Sequence, residues 1–293
     1  MEYTILGQTG RRVSRIGFGG ATAGLTNYMT VFDPKDAECR EGVIMAMRRA
    51  LELGINYFDT AEAYGGGASE EIFAEGLADV AAEDIFLATK VTPFGEGNSV
   101  RKPDVICAAL EAGLARLRRD YVDLIQLHGS YVSEEAALTM LKSGGIVDAL
   151  ARAREEGLVR HIGFSIEAQN AALDRLLESG RFEVMQVQYN LLFQHPYDPS
   201  FTCGSMYKAE EAGLGIVAMR TATSGIFQKW IQRVNPENSF DYNPALIQFS
   251  LSNPLVDTAL IGMRDARQVE ENAAICDDLT GRVDLAQLHN RFV

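Results

Sequence analysis

INYFD at 55–59, IFLATK at 85–90 and VDLIQLH at 122–128 are the stretches that decide the fold. Each is a short β-rich run whose apolar body suits a strand buried on both faces of a parallel sheet. Each also ends on a polar residue, Asp59, Lys90 or His128, and Tyr64 follows five positions after the first. In a (β/α)8 barrel, polar residues at strand ends converge on one catalytic mouth. The placement of these four side chains therefore predicts an enzyme.

Working outward, helix-period segments alternate with short β-branched runs, with no linker or low-complexity tract between them. Strands are expected near 15–19, 55–58, 85–90, 122–127, 159–164, 184–188, 215–219 and 257–261, with helices in the intervals. Three joints, LELGINYF, REEGLVRHIGF and EEAGLGIVAM, end a helix on glycine and start an apolar strand at once. Gly54, Gly157 and Gly213 read as left-handed helix ends. Eight strands make a closed (β/α)8 TIM barrel, expected as a single α/β domain over residues 1–293. The first dozen residues, with turn signals at Gly7 and Thr9-Gly10, predict an N-terminal β-hairpin cap at the bottom of the barrel. The span from 189 to 213 has the weakest pattern.

Composition narrows the function classes. A net charge of −13 disfavours nonspecific contact with nucleic acid or anionic membrane, so any bound phosphate must be met by local donors. No apolar run reaches membrane-spanning length, and MEYTILGQTGRR lacks a signal peptide's apolar stretch, so a cytoplasmic protein is expected. Cys39, Cys107, Cys203 and Cys276 are far apart, which suggests neither a disulfide framework nor a zinc knuckle. A metal site would need clustered His and carboxylate ligands, and four scattered histidines give little support to one. GFGGATAG at 17–24 does not match G-x-G-x-x-G at a helix start, and no P-loop motif occurs, so Rossmann and P-loop readings are rejected. The sequence carries no signal of oligomeric state.

The four strand-end residues define a chemistry. A tyrosine hydroxyl with its ordinary pKa of about 10 donates a proton poorly unless a nearby cation favours its anion. Lys90 can supply that charge, Asp59 can pair the buried ammonium, and His128 can donate a hydrogen bond to the oxygen that becomes charged. Together they describe carbonyl reduction. An alcohol product needs a hydride as well as a proton, and no side chain donates a hydride, so a nicotinamide cofactor is implied.

The chain resembles the aldo-keto reductase superfamily from YTILGQTGRRVSRIGFG at 3–19 to RQVEEN at 267–272, most closely in GINYFDTAEAYG, the lysine of LATK, DLIQLH and GFS. Each motif alone is unspecific; their order is what carries the resemblance. It implies extended NADP(H) bound without a Rossmann domain, Tyr64 as general acid, Lys90 and Asp59 tuning it, and His128 orienting a small-molecule carbonyl or alcohol substrate. Ser165 and Gln186 would bind the nicotinamide carboxamide, and Glu271 and Asn272 the adenine. Gly19, Gly20, Arg220, Gly262, Arg264 and Gln268 complete the expected cofactor set, with NADP favoured over NAD. This chain departs from the common pattern at Ile166, where an asparagine is frequent, at Arg220, placed where many members stack a tyrosine, and at Gln268, where arginine is frequent. The stretch carrying Tyr28, Met29 and Phe32 makes the substrate wall unusual.

Other readings compete. Any one of the four polar residues alone is more often structural than catalytic; their ordered coincidence favours the site. Lys90 could serve a Schiff-base aldolase, but that needs a neutral lysine, which Asp59 opposes. A cofactor-binding regulatory subunit with slow turnover, like the β subunits of potassium channels, is the other alternative. For Arg264 the competing reading to a phosphate contact is a solvated arginine, for Arg220 the competing reading to a cofactor contact is an internal salt bridge, and Trp230 reads either as core packing or as part of a substrate-covering loop. His195 and His161 read as structural.

Overall fold

The computed structural model describes residues 1–290. Ten strands occur among them: β1 (Tyr3–Ile5), β2 (Arg12–Ser14), β3 (Ile16–Gly19), β4 (Tyr57–Asp59), β5 (Phe86–Val91), β6 (Val122–Gly129), β7 (Val159–Ile166), β8 (Val184–Gln188), β9 (Gly215–Met219) and β10 (Thr258–Ile261). β3 to β10 pair in parallel, each with the next, and β10 closes on β3. The expected (β/α)8 barrel and its eight strands are therefore present, shifted at their ends by one or two residues.

Period-two alternation divides each strand between two cores. Tyr57, Phe86, Leu124, Val184, Val217 and Leu260 pack with one another inside the barrel, while their neighbours Phe58, Leu87, Ile125, Met185, Ile216 and Ile261 pack outward against the helices. The interior is crowded, and two glycines make room. A Cβ on Gly17 would approach the Tyr57 ring to 2.9 Å, and one on Gly163 would meet the Val184 carbonyl at 2.7 Å. Large and small residues thus interdigitate across the axis, as close packing requires.

The hairpin seals the N-terminal end of the barrel. β1 and β2 pair antiparallel, and Leu6 and Val13 complete the interior cluster at the level of Tyr57 and Phe86, the first residues of their strands. The Gln8 amide bonds the Gly213 carbonyl at 2.8 Å, tying the hairpin to the joint before β9. The opposite end, where the strand C-termini lie, stays open.

The three glycine joints repeat one geometry. Gly54, Gly157 and Gly213 have φ of 84°, 83° and 76°, and the next residue bonds back five positions: Ile55 to Ala50, Leu158 to Ala153 and Leu214 to Ala209. These are Schellman endings, and the strand begins two or three residues after each glycine. Helix starts are marked by Asp36, Ser133, Asn170 and Asp265, whose side chains accept amide hydrogens three residues on.

Three intervals carry more than one helix: the short Ala21–Gly24 and the long Ala37–Glu52 lie between β3 and β4. Glu134–Leu141 and Ile146–Glu155 both lie between β6 and β7, and Ile226–Val234 and Asn243–Leu251 between β9 and β10. The stretch after β8 is a loop closed by Asn190–Phe193 and Asp198–Cys203 bridges, followed by a short helix, Ser205–Glu211. Its weak pattern reflects turns held by Asn190 and Asp198 side chains rather than a periodic element.

Candidate active site

A cavity of about 310 Å³ occupies the open end of the barrel. Asp59, Tyr64, His128, Ser165, Gln186, Arg220, Gly19 and Gly262 all line it. Strand alternation accounts for the convergence: Asp59, Lys90, Gln126, His128, Ser165, Gln186 and Met219 lie an even number of residues beyond inward-facing positions on their own strands.

The deepest element is an ion pair. Lys90 is fully buried, and its Nζ donates to Asp59 Oδ2 at 2.5 Å and to the Thr60 carbonyl at 2.8 Å. Burial pushes the ammonium below its ordinary value while Asp59 pushes it back up; burial pushes the Asp59 carboxyl up, against the pull of Lys90 and of the Gln126 and Gln186 amides. A charge here is tolerable only because its partner is adjacent.

Tyr64 lies above this pair, its ring centre 5.0 Å from Lys90 Nζ. The His128 ring stands edge-on to it, with centres 5.5 Å apart and planes at 90°. The sequence suggests that Lys90 favours the Tyr64 anion, but the resting phenol is pushed well above its ordinary value, by burial first and then by the Asp59 charge. The physical reason is first the phenol's own burial, which disfavours a phenolate, and then the negative charge of Asp59. At rest, then, the phenol keeps its proton.

Burial pushes His128 down to about 3, with the Lys90 charge adding to the effect. Its imidazole is neutral at physiological pH and can donate one N–H to a substrate oxygen. The sign for stability follows. A folded-state value below the ordinary 6.5 means that His128 costs nothing above pH 6.5 and destabilises progressively as pH falls toward about 3. Replacing His128 with Gln should therefore flatten the loss of stability in that window, as read by urea midpoints at a series of pH values; an unchanged slope would show that the ring titrates normally.

The rim carries further polar groups. Ser165 Oγ and Gln186 Nε2 are buried, and each reaches Met219 Sδ, a weak acceptor, at 3.8 and 3.7 Å. Arg220 pairs with Glu167 at 2.7 Å, and Glu167 also accepts from Ser130 at 3.0 Å. Arg220 has φ of 59°, and its carbonyl is held by Asn190 Nδ2 at 2.9 Å. Gly19 and Gly262 keep the floor thin: a Cβ on Gly262 would sit 2.4 Å from Thr22 Cγ2.

Other expected cofactor residues lie outside the cavity wall. Gly20 packs behind it, where a Cβ would meet Ser69 Oγ at 2.6 Å. Arg264 donates to the carbonyls of Thr22 and Tyr28 and to the Thr30 hydroxyl, and its guanidinium rests 4.1 Å from the Phe32 ring centre. It thus holds down the strap after β3, which Tyr28 and Lys229 also tie to the segment after β9. Gln268 accepts from the Arg264 amide at 2.8 Å. Glu271 pairs with Arg267 on the exposed face of the helix Ala266–Asp277, and Asn272 is half-buried on the same helix. Ile166 packs outward in the core, so the residue that follows Ser165 at the rim is Glu167.

Sequence reasoning missed Gln126, Glu167 and Met219. Gln126 could have been found, since a glutamine two residues before His128 in an apolar strand must share its inward face. Met219 likewise falls two residues after the inward Val217. Glu167 comes from a loop with no periodic signal. Among the described residues, no group of three or more His, Cys, Asp or Glu side chains is arranged to hold a metal ion, and no helix is long and apolar enough to cross a membrane.

The open end of a closed parallel barrel thus carries a buried Asp59–Lys90 pair with a tyrosine and a histidine beside it. The aldo/keto reductase family model matches residues 15–248, and the chain belongs to that family and is an oxidoreductase. It is 28% identical over 304 residues to L-galactose dehydrogenase of Arabidopsis thaliana, covering 95% of this chain and 89% of that one. Among solved structures it superposes on an aldo-keto reductase from Bacillus halodurans in its holo form with a TM-score of 0.76 at 24% identity, covering 99% and 95% of the two chains. It matches an aldo-keto reductase from Klebsiella pneumoniae in complex with NADPH with a TM-score of 0.72 at 21% identity, covering 100% and 95%. At those identities the two structural likenesses are likenesses of fold.

Proposed function

We propose that the protein reduces an aldehyde or ketone to an alcohol with NADPH, and that Asp59, Tyr64, Lys90 and His128 carry the proton side of the reaction. The observation that carries this reading is the buried Lys90–Asp59 pair, 2.5 Å apart, set beneath Tyr64 and the neutral His128 at the cavity. A nicotinamide bound there would supply the hydride. His128 donates an N–H to the carbonyl oxygen and fixes its distance from Tyr64. Tyr64 gives that oxygen its proton as negative charge develops there, and a proton from water returns to the phenol. Lys90 stabilises the phenolate in the interval, and Asp59 keeps Lys90 charged and in place.

The residues suit such a cofactor. Ser165 Oγ and Gln186 Nε2, which reach the weak acceptor Met219 Sδ at 3.8 and 3.7 Å, would hold the nicotinamide carboxamide. Arg220 and Arg264 would meet phosphates, Gly19 and Gly262 give the close approach, and Gln268, Glu271 and Asn272 border the adenine end. The Klebsiella protein of like fold is described with NADPH. Lys90 is unsuited to Schiff-base chemistry, since its ammonium is spent on Asp59 and the Thr60 carbonyl.

Incubation with NADPH and a panel of aldehydes, ketones and aldoses, read as NADPH loss and alcohol gain, tests the proposal. Aldoses belong in the panel because one relative is named L-galactose dehydrogenase. Binding without turnover on any of them would favour the regulatory-subunit reading. Arg264→Ala should raise the Kd for NADPH at least tenfold more than that for NADH, as fluorescence titration would show. Equal losses would mean that Arg264 serves only the strap after β3.

A further inference from the structure

Gln126 is fully buried on the inner face of β6, two residues before His128. Its Nε2 donates to Asp59 Oδ1 at 3.3 Å and to Gln186 Oε1 at 3.0 Å, while its own Oε1 has no hydrogen-bond partner among the described residues. One amide group thus spans the two halves of the site. On one side is Asp59, whose other oxygen holds Lys90 at 2.5 Å. On the other is Gln186, whose Nε2 is turned toward Met219 and the cavity.

A carboxamide has unlike ends, and a donor placed on its oxygen decides which end faces outward. With Gln126 on Gln186 Oε1, the N–H end of Gln186 faces the cavity. The same Nε2 occupies Asp59 Oδ1 and leaves Oδ2 to Lys90. We propose that Gln126 is a positioning residue that couples the two sub-sites, presenting the Gln186 amide N–H to the nicotinamide carboxamide oxygen and locking the Asp59 carboxylate onto Lys90. The nicotinamide half rests on the NADP(H) reading above. A purely space-filling side chain would not leave its own buried oxygen unpartnered in order to aim its nitrogen at two acceptors.

Gln126→Met keeps the length and the packing but removes both bonds. The Kd for NADPH should rise about tenfold, the scale of one buried hydrogen bond, while the Kd for 2′,5′-ADP, which lacks the nicotinamide, stays unchanged. The acid limb of the kcat–pH profile should move to higher pH, because Asp59 loses a donor that favours its anion. In a Gln186→Met background, Gln126→Met should add no further loss of NADPH affinity, since its effect on binding passes through Gln186. Wild-type NADPH affinity and an unmoved acid limb in Gln126→Met would overturn the proposal. So would equal weakening of NADPH and 2′,5′-ADP, which would mark a general disturbance of the barrel. A wild-type protein that binds 2′,5′-ADP or NADH but not NADPH, or none of the three, would overturn the cofactor reading itself and this proposal with it.

Discussion

Tyr64→Phe is expected to lower kcat about a thousandfold while leaving the Kd for NADPH within about twofold of wild type. The substitution removes one hydroxyl and keeps the ring that packs edge-on against His128 and lies over Lys90. Only the proton donor is lost, so the loss should fall on the chemical step. Because the resting phenol is held protonated by burial and by Asp59, the wild-type activity should persist to high pH, with no loss near the ordinary tyrosine range. Steady-state kinetics and fluorescence titration on the same preparations separate the two quantities. A variant that turns over normally would remove Tyr64 from the mechanism; one that no longer binds NADPH would mean that the hydroxyl belongs to the cofactor site.

The second large effect is expected at Lys90. Replacing it with Met leaves Asp59 buried, 2% exposed, without its cation. Removing one partner of a buried pair typically costs about 3–5 kcal/mol, since the remaining charge keeps its desolvation penalty. Lys90→Met should therefore lower the urea midpoint strongly and abolish turnover. The stability deficit should shrink as pH is lowered, because a protonated Asp59 leaves no charge to strand. The double variant Lys90→Met, Asp59→Leu should regain most of the stability and none of the activity. This contrast separates the pair's structural cost from its chemical use. A Lys90→Met single variant as stable as wild type at neutral pH would show that the pair is hydrated rather than buried.

The parts of this molecule that were legible in the sequence are those governed by a period or by a single-residue constraint. INYFD, IFLATK and VDLIQLH each carry alternating faces plus a polar last residue, and the folded strands place those residues on one mouth. Gly54, Gly157 and Gly213 were readable because few other residues tolerate the positive φ of a Schellman ending. The hairpin was legible from its turn residues, and its place under the barrel from the need to cover that end.

What escaped the sequence belongs to loops and to competition among partners. That the Arg264 guanidinium also bonds Thr22, Tyr28 and Thr30, more than 230 positions away in the chain, is something no local pattern shows. Glu167 captures Arg220 from a different loop. The push on Tyr64 comes first from its burial and then from the Asp59 charge, and the depth of that burial is something no motif encodes. Gln126 was within reach of the alternation rule, but its two acceptors lie on β4 and β8, so its partners needed the closed barrel to be seen.

The central claim is that a hydride passes from a bound nicotinamide to a carbonyl carbon at this mouth. The most direct measurement is mass analysis of the alcohol formed when the protein acts, on any carbonyl compound it turns over, with NADPH carrying deuterium at the transferring C4 position of the nicotinamide. The account predicts one deuterium bound to the carbinol carbon in wild type and about a thousandfold slower formation of the labelled alcohol by Tyr64→Phe under the same conditions. Alcohol formed without deuterium, or no alcohol from any member of the panel while NADPH binds, would contradict it.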